Sequence, residues 1–314
     1  MDEHQKIAAE IFRQHDLKFE TAERAGGWTN AVWFNGDFVL RLSLSKGNDR
    51  IRREVELSKM LPKSVGYPKI IATGVAHGHE WSISERIQSK NLNDVWVDLS
   101  WSEKAKAVGQ IFNIVQSIQS VNVEKIKHLS LQRAWYSPLN KSESLADCER
   151  YIAQGIFTES HGRTLYNTLE KFYLQLNQTT PVLNHGDITM DNLLWHEGNV
   201  VALIDFEHSS ITAPQLDLHS LINLALVPDD KILSAEDGLE TQQYIKNVIR
   251  LLMPMLTAEH HKDLLLGYAI LFRQRFLEFW LNNPQGELTH VDAYQKLVSL
   301  GDGSGGYLFK LLGC

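Results

Sequence analysis

Leu183-Asn184-His185-Gly186-Asp187-Ile188-Thr189-Met190-Asp191-Asn192-Leu193-Leu194-Trp195, followed after a short polar turn by Val200-Val201-Ala202-Leu203-Ile204-Asp205-Phe206-Glu207, is the stretch on which the reading of this chain turns. The apolar runs Leu193–Trp195 and Val200–Ile204 have the character of short strands. Asp187 and Asn192 stand before the first run, and Asp205 closes the second. Magnesium takes hard oxygen ligands and usually keeps waters, so one amide oxygen and one carboxylate beside a phosphate tail are enough to hold it. Asn192 and Asp205 suit that duty, which leaves Asp187 to orient an alcohol and accept its proton. Taken singly, each has a plainer reading: Asp187 capping a turn, Asn192 bonding its own backbone, Asp205 ending a strand. Their joint spacing favours the site.

The rest of the chain supplies two settings for this stretch. Its 314 residues are enough for two domains, and 43% hydrophobic with 22% charged residues is the composition of an ordered globular protein. An amphipathic helix is expected over Ile7–His15. Strands over Trp28–Trp33 and Phe38–Leu42 should form a hairpin through Asn35-Gly36-Asp37, a helix should follow over Arg50–Leu61 before Pro62, and a second strand pair is expected at Lys69–Gly74 and Trp81–Ile87. The polar segment Gln88–Ser100 marks the expected boundary, which divides the chain into 1–87 and 88–314.

Helical periodicity dominates after the boundary. Val108, Ile111, Phe112, Val115 and Ile118 form a core-facing stripe, and further helices fit Ser144–Phe157, His161–Leu176, Pro214–Leu226, Thr241–Leu256 and Ala258–Leu281. Gly301–Gly306 reads as a joint before the tail. The fold class expected is therefore α+β, with a small antiparallel sheet lobe and a larger, mainly helical lobe.

Charge and cysteine content narrow the function classes. The net charge of −7 argues against a general nucleic-acid binder. Residues 1–87 hold 13 Lys or Arg against 12 Asp or Glu, a balance of +1 that leaves −8 for residues 88–314. An acidic second part favours a cationic ligand, although solubility accounts for the same excess. No secretory signal and no bilayer-length apolar run occur, and Cys148 and Cys314 are the only cysteines, so a cytoplasmic protein without membrane or nucleic-acid partners is expected, as a monomer or weak homodimer. His208, His219, His260 and His261 lack the cysteine or dense-ligand pattern of a zinc site and read as core or surface residues.

The motif His185-Gly186-Asp187, four residues, Asn192, then Ile204-Asp205-Phe206 resembles that of the aminoglycoside phosphotransferase and choline kinase superfamily, relatives of the protein kinases. The resemblance implies a bilobal protein-kinase-like fold and transfer of a phosphoryl group from ATP, or another purine nucleoside triphosphate, to a hydroxyl of a small molecule. It implies a catalytic base in Asp187, loop support from His185, and magnesium ligation by Asn192 and Asp205. Pro214-Gln215-Leu216-Asp217-Leu218 is similar to the family segment whose aspartate braces the catalytic loop.

In the first part, Gly26-Gly27-Trp28-Thr29-Asn30 resembles the loop that covers the nucleotide, with Gly27 and Thr29 facing phosphates, though a tight hairpin explains the glycine pair equally well. Arg41 takes the place of the phosphate-organising lysine, and Glu54 resembles the helix carboxylate that positions it, with Glu56 a competitor. Glu85 and Ile87 correspond to the hinge whose backbone reads the base, and Ile70 would cover its face. Glu207 stands where protein kinases have a glycine, which argues against their activation switch, and Asp191 adds a carboxylate before Asn192. Trp135 and Tyr136 are candidates for the acceptor pocket. The acceptor expected is a small, hydroxyl-bearing and cationic molecule such as an aminoglycoside or amino-alcohol. A nucleotide-binding pseudokinase or scaffold and a metal-dependent phosphohydrolase are the competing readings.

Overall fold

The computed structural model describes residues 2–27, 29–131, 141–226, 239–256 and 259–282. Trp135, Tyr136 and the expected joint at Gly301–Gly306 lie outside the described residues. The described residues form two compact units: one from those of 1–98, 124–131 and 190–207, the other from those of 99–123, 132–189 and 208–314. Segments 88–98, 124–131 and 190–207 therefore lie with the first unit, whereas the expectation from sequence placed them in 88–314.

The first unit is built on a five-stranded antiparallel sheet. Its strands are β1 (Glu23–Ala25), β2 (Asn30–Asn35), β3 (Phe38–Ser43), β4 (Ile70–Ala76) and β5 (His79–Glu85), in the spatial order β1-β2-β3-β5-β4. The β2–β3 hairpin closes where Asn35 faces Phe38, and the left-handed angle it needs falls on Gly36. In the β4–β5 hairpin both turn residues, His77 and Gly78, have positive φ (52° and 84°), the backbone that matches strand twist in a two-residue connection. Helix α1 (Glu3–Gln14) begins earlier than its apolar stripe, because Asp2 and Gln5 form a capping box. Its Ile7, Ala8, Ile11 and Phe12 bury against Trp33, Leu40, Leu42, Trp81 and Ile83 of the sheet.

Helix α2 (Arg50–Ser58) stops three residues short of Leu61: Met60 and Leu61 donate to the carbonyls of Leu57 and Ser58 in tight turns as Pro62 approaches. Met60 is exposed, while Ile51, Val55 and Leu57 are buried. The expected boundary segment is itself structured. It contains β6 (Lys90–Asn91) and α3 (Leu92–Val95), with Leu92 and Trp96 buried. The decisive stretch enters this unit as β8 (Leu193–His196) and β9 (Asn199–Leu203), in a sheet of order β6-β8-β9. Gly66 (φ 69°) lies so close to β9 that a Cβ there would sit 2.0 Å from the Val201 carbonyl oxygen.

Among its described residues the second unit is helical around one short strand pair. Its helices are α4 (Trp101–Gln119), α5 (Lys141–Ala153), α6 (Glu159–Leu176), α7 (Gln215–Leu226), α8 (Leu239–Leu256) and α9 (Glu259–Asn282). Ser100 and Glu103 form a capping box that starts α4, and its whole expected stripe is buried. Along α9 Leu264, Leu265, Tyr268, Ala269, Leu271, Arg273 and Gln274 are all buried, so this helix is enclosed on more than one face. Strands β7 (Val182–Asn184) and β10 (Ser210–Thr212) pair antiparallel and carry the loop that follows Asn184. Among the described residues no helix is long and apolar enough to cross a membrane.

Candidate active site

In the first unit the β8–β9 register sets the two proposed metal ligands. Leu193 pairs with Leu203, so Asn192, just before β8, and Asp205, just beyond β9, come to the same end of the hairpin. The Ile204 N–H donates to the Asn192 carbonyl at 2.9 Å and fastens that end. Asp205 has a left-handed backbone (φ 67°), which aspartate tolerates better than most residues. Asp191 is exposed in the turn Met190–Asn192.

Arg41, on β3, joins this end to α2. Its Nη1 donates to both carboxylate oxygens of Glu54 at 2.8 Å, and its Nη2 donates to Asp205 Oδ1 at 2.8 Å. Glu54 Oε1 also accepts from the Tyr67 hydroxyl (2.8 Å) and the Phe206 N–H (3.0 Å). A carboxylate with a 1% exposed side chain is thus supplied with a full set of donors, the condition for burying a charge. Glu56 is only half-buried, its side chain 43% exposed, and pairs with Lys59, which decides between the two helix carboxylates. Burial works against the Arg41 charge, but Glu54 and then Asp205 outweigh it and hold its pKa well above the ordinary arginine value. Burial first, and the Glu54 charge second, push the Tyr67 hydroxyl well above its usual range.

The glycine-containing loop has an unforeseen partner. A Cβ on Gly27 would lie 2.2 Å from the Asn30 carbonyl oxygen, so glycine is required there by the turn itself. Thr29 Oγ1 donates to Glu207 Oε1 at 2.9 Å, and Asn30 Nδ2 reaches Glu207 Oε2 at 3.3 Å. Arg50 Nη1 lies 3.8 Å from the same carboxylate. Sequence alone marked Glu207 only as a departure from glycine; its signal was a charge set directly beside Phe206, in a segment that proves buried.

At the hinge candidate, Glu85 N–H donates to the Lys69 carbonyl (2.9 Å) and its exposed side chain pairs with Lys69. Ile87 is half-buried, and its carbonyl accepts from Ser89 Oγ at 3.2 Å. Ile70 lines a cavity of ≈ 390 Å³ with Val55 and Tyr67, between α2 and β4.

In the second unit the loop after β7 is held from inside. Asp217, fully buried on α7, accepts the His185 N–H at 2.7 Å and the Gly186 N–H at 2.9 Å, one on each carboxylate oxygen. Gly186 carries the positive φ (83°) that bends the chain there. His185 is also fully buried, and its Nδ1 lies 3.2 Å from the Asp187 N–H and accepts from it. Asp187 itself is half-buried at the loop surface. Burial raises the Asp217 pKa to about 7, the donated bonds from Gly186 and His185 opposing that rise and the Asp187 charge adding to it.

The donor chemistry admits magnesium. Asn192 and Asp205 offer hard oxygens, and Asp205 Oδ1 already attracts one internal cation, the Arg41 guanidinium. No group of three or more His, Cys, Asp or Glu suited to a metal occurs among the described residues. His219 agrees with its core reading: it is buried, and burial, then the Arg273 charge, lower its pKa to about 3.

Residues 20–245 match the model of the phosphotransferase enzyme family. The chain belongs to that family. It is a small-molecule O-phosphotransferase with the kinase-like α+β fold. Among solved structures it resembles the GDP and kanamycin complex of APH(2")-IIIa (18% identity, TM-score 0.69, 96% of this chain and 99% of that one). It also resembles the streptomycin and ATP complex of APH(2")-IIa (14% identity, TM-score 0.64, 96% and 99%). A third likeness is to a complex of a thermostable mutant of aminoglycoside phosphotransferase APH(4)-Ia with AMP-PNP and hygromycin B (14% identity, TM-score 0.63, 98% and 100%). No curated protein matches the sequence.

Proposed function

We propose that this phosphotransferase moves the terminal phosphoryl group of ATP to a hydroxyl of a small cationic acceptor, an aminoglycoside or an amino-alcohol, with magnesium. The observation that carries the reading is Arg41 bridging Glu54 and Asp205 at 2.8 Å, with Asn192 at the same hairpin end. This is a pre-organised cationic group beside a pair of hard oxygen donors, the arrangement phosphoryl transfer requires. Magnesium held by Asn192 and Asp205 would neutralise phosphate charge. Arg41 would neutralise more of it, Thr29 would donate to a phosphate, and the 85–87 backbone would meet the purine.

Asp187 aligns the acceptor hydroxyl and takes its proton as the new oxygen–phosphorus bond forms and the bond to the leaving ADP oxygen breaks. Asp217 and His185 keep the loop in the shape that presents Asp187. Most of the rate then comes from alignment and charge neutralisation, with no covalent enzyme intermediate. The acidic balance of residues 88–314 supports a cationic acceptor, as do the kanamycin, streptomycin and hygromycin complexes of the similar structures. A cytoplasmic monomer or weak homodimer completes the reading.

The test is a panel assay of ATP-dependent phosphate incorporation into kanamycin, streptomycin, hygromycin B, choline and ethanolamine, with and without magnesium. Transfer to a cationic acceptor is expected. Transfer only to neutral sugars would overturn the acceptor class, phosphate release without an acceptor would indicate a phosphohydrolase, and nucleotide binding without turnover would indicate a pseudokinase.

A further inference from the structure

Thr29 Oγ1, Asn30 Nδ2 and Arg50 Nη1 come from the end of the glycine loop, the start of β2 and the start of α2, yet all three converge on the Glu207 carboxylate, at 2.9, 3.3 and 3.8 Å. Asn30 Nδ2 also lies 3.2 Å from Thr29 Oγ1, so the donors form one cluster. Glu207 is only 6% exposed, and its backbone is held by the turn Phe206–His208, whose Phe206 N–H is bonded to Glu54. The loop side is held as well: the Thr29 carbonyl accepts from Leu44 N–H at 3.1 Å. A hydroxyl, a primary amide and a guanidinium gathered on one carboxylate are the same donors that bind a phosphate, because both anions offer charged oxygens to short donated bonds.

We infer that Thr29, Asn30 and Arg50 are the donor set for the terminal phosphate of the nucleotide, and that Glu207 is an internal anion which occupies this set until the phosphate displaces it. The inference rests on the kinase reading and adds Asn30 and Arg50 to the nucleotide site. It gives Glu207 an opposing role: its charge holds the loop in order in the empty protein and competes with the incoming phosphate.

The competition has a sign that a merely structural role lacks. Glu207→Gln keeps the shape and one accepting oxygen but removes the charge, so ATP binding measured by calorimetry in EDTA is expected to tighten about tenfold, equivalent to about 1.4 kcal/mol. AMP, which keeps its α-phosphate but lacks the terminal ones, should bind the variant and the wild type alike. Arg50→Ala should weaken ATP binding, and adding Glu207→Gln to it should recover less than the single variant gains. Unchanged or weaker ATP binding by Glu207→Gln in EDTA overturns the inference, as does an equal gain for AMP. Failure of every protein, wild type included, to bind ATP with or without magnesium overturns the kinase reading itself, and the inference with it.

Discussion

Arg41 Nη2 and Asp205 Oδ1 are joined by a 2.8 Å charge-assisted hydrogen bond, while Nη1 of the same guanidinium holds Glu54. One side chain therefore couples a strand, a helix and the end of the β8–β9 hairpin. The consequence for stability follows from burial: Glu54 is almost wholly enclosed, and its other donors, Tyr67 and the Phe206 N–H, are neutral.

Arg41→Met should destabilise the protein by about 3–5 kcal/mol, because it strands a buried carboxylate without its cation. Arg41→Met combined with Glu54→Met should cost much less than the sum of the two single changes. Urea unfolding of the four proteins measures both. A cost below about 1 kcal/mol for the single change would mean that the pair does not support the fold.

Asp187→Asn should leave unfolding and nucleotide affinity close to wild type and lower kcat by about 10²–10⁴-fold, the usual range for losing a positioned proton acceptor. Steady-state kinetics with the acceptor found in the panel assay gives the answer. Near-normal turnover would remove Asp187 from the chemistry.

Asp205→Asn should act on the metal. The magnesium concentration needed for half-maximal activity is expected to rise by about tenfold or more as a charged hard ligand becomes neutral. A magnesium titration at saturating ATP reads this directly. If the midpoint and the maximal rate both stay put, the metal is held elsewhere.

Asp217 gives a pH dependence with a definite sign. Its folded-state pKa of about 7 stands above the ordinary 3.8, so between these values the native protein binds more protons than the unfolded chain. Stability from this group is full below pH 3.8 and is lost as pH rises toward and through 7. Asp217→Asn removes the slope, and it also removes an acceptor from the His185 or Gly186 N–H at a cost of about 1–3 kcal/mol. Urea unfolding at pH 5, 6, 7 and 8 should therefore show the wild-type advantage over Asp217→Asn shrinking up to pH 7 and levelling above it. An advantage that grows with pH would reverse the assignment.

What could be read from the sequence was local. The stripes of α1 and α4, the Asn35–Asp37 turn with its Gly36, and the strand character around Asn192 and Asp205 each depend on neighbours a few residues away, so periodicity and turn chemistry carry them. The short segments Glu23–Ala25, Lys90–Asn91 and Ser210–Thr212 escaped because two or three residues hold no period. The family motif likewise pointed to Asp187, Asn192 and Asp205 from spacing alone.

Tertiary structure decided the pairings. Sequence favoured Glu54 but kept Glu56 as a competitor; two residues apart on a helix they are rotated by about 200° about its axis, and packing buried only Glu54, beside Arg41. Thr29 and Glu207 meet across a separation of 178 residues. No spacing rule covers such a distance, because which donor faces which carboxylate is set by how the sheet, α2 and the β8–β9 hairpin pack together.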